Sequence, residues 1–222
     1  MSALFEYYAQ LPFAELIAVI LSLAYVVLAT KGNNWCWPAA FVSTAIYTVI
    51  FYDVALLMDS FLSVYYMAMA IYGWYCWHHA RKTSSSLNLK HLENINNKDT
   101  LTIISWSWLV HVKIIAVLIL ISLVLGFVMA NYTIAAFPYL DSATTVFAIF
   151  TTYLVTQKVL ENWLYWLIID FVSIYLYLEK DLQPTAALFA LYVVIALYGY
   201  FQWLAQYKSQ LDPALETLAE KG

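Results

Sequence analysis

Between Trp106 and Ala130 the chain runs for twenty-five residues with one formal charge, Lys113. As a helix that run is about 37 Å long, enough to cross the ~30 Å hydrocarbon core of a bilayer. Apolar runs near this length recur. They predict seven spans: Phe13–Thr30, Trp37–Tyr52, Met58–Trp77, Trp106–Ala130, Ser142–Thr156, Trp163–Leu178 and Pro184–Trp203. Composition agrees, since 64% of the 222 residues are hydrophobic and 11% charged, against about 25% charged in a soluble domain. The expectation is an all-α membrane protein, one domain with the lipid bilayer as its partner. A net charge of −4 without a basic patch gives no ground for nucleic-acid binding.

Met1–Pro12 has no basic residue and carries Glu6, which does not read as a cleavable signal peptide. The polar insert Arg81–Thr100 reads as a loop, and the tail Leu204–Gly222 as a short surface helix. Seven spans put the termini on opposite sides. One side then receives Lys31, Arg81, Lys82, Lys90, Lys98, Lys158, Lys208 and Lys221, and the other only Lys180. Lys113 can snorkel back to the basic side. By the positive-inside rule the N-terminus is outside and the C-terminus in the cytoplasm. Cys36 and Cys76 then lie at the inner face and are expected as free thiols.

The chain also repeats itself. Tyr25, Val27, Asn34 and Trp35 match Tyr153, Val155, Asn162 and Trp163, and Tyr47 matches Tyr175, at an offset of 128. Tyr66, Ala70, Tyr72, Gly73 and Trp77 match Tyr192, Ala196, Tyr198, Gly199 and Trp203 at an offset of 126, so a two-residue slip is expected between the blocks. A three-span unit ends opposite its start, so a second unit in the same orientation needs one span between them. The result is a 3+1+3 parallel-repeat bundle: residues 13–77, a linker helix over 106–130, and residues 142–203. Parallel repeats are one of the transporter plans, with substrate near the midplane.

Asp170 lies seven residues inside the span that starts at Trp163, about 10 Å along the helix and near mid-membrane. An acid there costs roughly 2.5–3.5 kcal/mol on insertion scales, so it should face a cavity or a partner. The i, i+3, i+7 spacing aligns Trp163, Trp166 and Asp170 on one face. A carboxylate beneath aromatic faces suits a flat organic cation; a structural hydrogen bond to a Tyr or Ser of another span is the plainer reading. Ser63 and Tyr66 in span three, with Asn34, Trp35 and Asn162 at the span ends, complete the candidate substrate contacts. Asp59, Glu15 and Asp141 read as interfacial acids. Trp74, Trp77, Trp106, Trp108 and Trp203 read mostly as interfacial anchors.

No nucleophile–base pair, phosphate loop or HExxH motif points to an enzyme, and no metal or other cofactor is expected. A retinal protein needs a lysine in its last span, which has none; a seven-helix receptor shares only the topology. A SWEET-type sugar carrier lacks its Pro-Gln signature here, the one adjacent pair being Gln183-Pro184.

KGNNWCWP, YGWYCW and WLYWLIID resemble the Pnu vitamin transporters over about Tyr25–Trp203, with the family's WxxWxxx(N/D) signature falling on Trp163, Trp166 and Asp170. The resemblance implies a full-length SWEET-like bundle in a bacterial inner membrane. It implies a homotrimer that carries an unphosphorylated vitamin by facilitated diffusion, with trapping by a cytosolic kinase. Riboside-type members carry a Leu-Gln pair where this chain has Leu62-Ser63. The missing amide and the full acid at Asp170 make thiamin the expected substrate, with nicotinamide riboside the alternative.

Overall fold

The computed structural model describes residues 2–53, 57–88, 102–133, 136–179 and 183–219, with side chains over 13–53, 60–78, 102–133, 136–179 and 186–210. Seven helices form among them: α1 Ser2–Thr30, α2 Cys36–Asp53, α3 Leu57–Asn88, α4 Trp108–Tyr132, α5 Pro138–Thr156, α6 Asn162–Glu179 and α7 Gln183–Ala219. Three stretches are long and apolar enough to cross a membrane: Phe13–Thr30, Trp108–Tyr132 and Ala186–Gln210. On α4, Val117, Leu120, Leu123, Val124 and Phe127 are all exposed. So much uncovered apolar surface on one helix suits lipid as its solvent.

Two boundaries differ from expectation. α3 does not stop at Trp77 but continues to Asn88, into the stretch read as a loop; no Gly or Pro follows Gly73 to break it. α7 likewise runs unbroken past Leu204 to Ala219, so the tail is part of α7 and not a separate surface helix. Residues 89–101 lie outside the described residues, as do Lys180, Lys221 and the side chains of Glu6, Asp59, Arg81 and Lys82. Cys36 and Cys76 form no disulfide among the described residues.

The chain divides into two units, Met1–Leu101 and Thr102–Gly222. In the first, α2 packs against both α1 and α3; in the second, α6 packs against α5 and α7, and α4 against α5. Their internal geometry repeats at one offset. α1 and α5 end at Thr30 and Thr156, α2 and α6 run 36–53 and 162–179, and α3 and α7 begin at 57 and 183, each pair 126 apart. Several backbone hydrogen bonds of the two turns coincide in this register. Asn33 N–H donates to Leu28 O (3.0 Å) as Val159 N–H does to Leu154 O (3.0 Å), and Cys36 N–H to Asn33 O (3.1 Å) as Asn162 N–H to Val159 O (3.2 Å). Gly32 (φ 63°) and Lys158 (φ 51°) occupy the same left-handed position, the usual way to end a helix.

This register corrects the 128-residue pairing. The counterpart of Trp163 is Trp37, not Trp35, and no slip separates the blocks. The motif NNWCW offers two tryptophans, and letter matching settled on the wrong one. Packing decides between them: Trp37 is 1% exposed and Trp35 68%. Trp37 meets Trp77 edge-on at 5.1 Å and 84°, and Trp163 meets Trp203 at 5.4 Å and 89°. A Cβ on Gly73 would run into the Trp37 indole, and one on Gly199 into that of Trp163. Trp77 and Trp203, expected as interfacial anchors, are therefore buried packing partners, because a glycine one turn earlier opens a notch for the facing indole.

Candidate substrate site on α6

α6 opens at the α5–α6 turn, where the Asn162 side-chain amide donates to Val159 O at 2.6 Å. Asn162 is fully buried, so of the candidate contacts it serves its own turn. Trp163 is also taken up by packing, against Trp203 and over Gly199. Its indole N–H is buried without an acceptor among the described residues, as is that of Trp37 in the first unit.

That leaves Trp166 and Asp170, one turn apart on the same face. Trp166 is half-buried and Asp170 is 4% exposed. No hydrogen bond or ion pair from any described residue reaches the Asp170 carboxylate. The plainer reading, a bond to a Tyr or Ser of another helix, is thus not met. Ser173, one turn further and buried, joins this face; its i+3 spacing from Asp170 was visible in the sequence and passed over. A buried carboxylate with no partner is costly.

The other candidates belong to the first unit. Ser63 is buried on α3, and Tyr66 sits half-buried one turn on, its ring 5.6 Å from Tyr65. Trp35 and Asn34 lie on the α1–α2 turn, with Trp35 edge-on to Trp74 at 6.3 Å. Trp74 is eleven residues from Ser63, about 16 Å along α3, so the turn and the Ser63–Tyr66 pair are separate places. Sequence reading also passed over a polar cluster in the second unit. His111 Nδ1 lies 3.0 Å from the Tyr165 hydroxyl, His111 Nε2 is 3.6 Å from Glu161, and Ser105 donates to Glu161. These residues come from two stretches, 105–111 and 161–165, far apart in the chain, so no local motif announces them.

Apolar helices, and an acid buried on one of them with no hydrogen-bond partner among the described residues, mark a membrane protein. A family model described as nicotinamide mononucleotide transporter matches residues 12–205. The chain belongs to that family, the Pnu membrane vitamin transporters. It is 27% identical to the nicotinamide riboside transporter PnuC of Escherichia coli (strain K12), over 93% of this chain and 91% of that one. It is 22% identical to the riboflavin/roseoflavin transporter RibM of Streptomyces davaonensis, over 91% and 90%. A crystal structure of the vitamin B3 transporter PnuC matches with TM-score 0.68 at 18% identity, covering 94% of this chain and 87% of that one. At that identity the likeness speaks for the fold.

Proposed function

We propose that this chain is a uniporter for an unphosphorylated, flat, cationic vitamin, with nicotinamide riboside as the leading substrate. The observation that carries this is Asp170, buried, without a partner among the described residues and one turn from the half-buried Trp166. Nicotinamide riboside takes precedence over thiamin because the relatives above are named for nicotinamide riboside and riboflavin, and none for thiamin. Thiamin is the second reading, favoured by Ser63 standing where riboside-type members carry a glutamine amide. The 126-residue register supports the 3+1+3 plan, with α4 as linker and all seven helices crossing an inner membrane. The N-terminus then lies outside, the C-terminus in the cytoplasm, and the carrier works as a homotrimer whose substrate is trapped by phosphorylation.

Titrating the purified protein with nicotinamide riboside, thiamin and riboflavin tests the reading. Nicotinamide riboside should bind tightest. Asp170→Asn should weaken both cations by about five- to a hundredfold, some 1–3 kcal/mol for a charge-assisted contact, and leave the neutral flavin unchanged. Tighter binding of thiamin selects the second reading; equal binding of neutral and cationic vitamins removes Asp170 as counter-ion. Uptake into liposomes should rise when a vitamin kinase is enclosed and ignore proton or sodium gradients. Accumulation driven by a gradient alone would exclude uniport.

A further inference from the structure

The polar cluster beside α6 joins three pieces of the second unit. The strap of residues 102–107, which leads into α4, is paired to the α5–α6 turn: Ile104 N–H donates to Lys158 O (3.1 Å) and Leu160 N–H to Ile104 O (2.8 Å). Ile103 N–H donates to Gln210 of α7 at 3.2 Å. Glu161, the residue just before α6, takes up the strap from its other side. Its carboxylate accepts from the Ser105 hydroxyl and from Trp106 N–H at 3.4 Å, with His111 Nε2 of α4 3.6 Å away. His111 is in turn held by the Tyr165 hydroxyl of α6. The Tyr165 ring packs with Leu154, Val159, Trp106, Phe147 and Phe150 in one apolar cluster. Strap, turn and first turn of α6 are thus tied at every level, backbone, carboxylate and core.

The first unit has the same turn without the tie. Among the described residues, the hydrogen bonds of Lys31–Trp35 stay within the turn and the ends of α1 and α2, and Trp35 stands out exposed.

We infer that Glu161 is a positioning residue for transport: it latches the strap and α4 to the start of α6 and so holds the Trp166–Asp170 face in place without touching substrate. The inference rests on the transport reading above. A site held rigid binds without first having to order itself, so loosening the latch acts on affinity before it acts on turnover. Glu161→Ala in the reconstituted full chain should raise KM for nicotinamide riboside about fivefold or more while Vmax stays within about twofold, the pattern of a less ordered site. Amide exchange should quicken over residues 103–106 and 158–165 and nowhere in α2. Glu161→Gln, which keeps one acceptor oxygen, should fall between. Should Glu161→Ala not fold, Ser105→Ala removes one donor from an exposed strap position; the same exchange signature is expected, with a rise in KM of about two- to threefold. A folded Glu161→Ala or Ser105→Ala protein with wild-type exchange across 158–165, or with wild-type KM, overturns the latch. If wild type takes up neither nicotinamide riboside nor thiamin, the transport reading fails instead. The exchange experiment, run without substrate, then decides the latch by itself.

Discussion

The α1–α2 turn and the α5–α6 turn share every backbone hydrogen bond compared above, the same left-handed position and the same Trp-over-Gly packing. Their helices then diverge. Where α6 has Trp166 and Asp170, α2 has Ala40 and Thr44 at the matching places. The Thr44 hydroxyl is satisfied inside its own helix, donating to Ala40 O at 2.8 Å, whereas Asp170 has no hydrogen-bond partner among the described residues. The two units therefore share a scaffold and divide the chemistry: one turn is a plain helix connector, and the other is latched and leads into the acid. Repetition preserved what packing demands and released the positions that packing does not use.

If the scaffold is common, the two units should suffer equally from its removal. Trp37→Ala and Trp163→Ala should each cost about 3–5 kcal/mol, the range for deleting a buried aromatic, seen as a lowered midpoint in thermal unfolding in detergent. Markedly unequal losses would break the comparison. A smaller effect of the same kind should come from Gly73→Ala and Gly199→Ala, at about 1–3 kcal/mol each for forcing a methyl into an occupied notch. Only the Gly199 change should also disturb vitamin binding, because its displaced indole belongs to the helix that carries Asp170. The smallest effect separates the turns themselves. Gly32→Ala should cost about 1 kcal/mol, the strain of a Cβ in the left-handed region, while at 158 that strain is already present in the wild type, since lysine occupies the position. A stability unchanged by Gly32→Ala would mean that the first turn relaxes where the second is held.

Much of this architecture was readable without coordinates. Hydrophobic runs separate seven helices because each must bury its backbone polarity along its own length. The block from Tyr66 to Trp77 finds its partner at 126 because a glycine and a tryptophan one turn apart are both needed for one notch. Asp170 was conspicuous because charge within an apolar run is expensive. The choice between Trp35 and Trp37 was not readable, since both are tryptophans near a helix start and only burial tells them apart. Nor was the role of Trp77 and Trp203, which composition assigns to the interface and packing assigns to the interior.

The sequence by itself therefore determined the elements and singled out Asp170 as an acid inside an apolar run. Periodicity and the cost of burying charge are properties of a single segment, and a single segment displays them. The tertiary structure alone decided the partners. It showed Asp170 to have none among the described residues, Trp163 to be spent on α7, and Glu161 to collect Ser105, Trp106 and His111 from fifty or more residues away in the chain. A contact between distant residues leaves no periodic trace in either stretch, so only the fold reveals it.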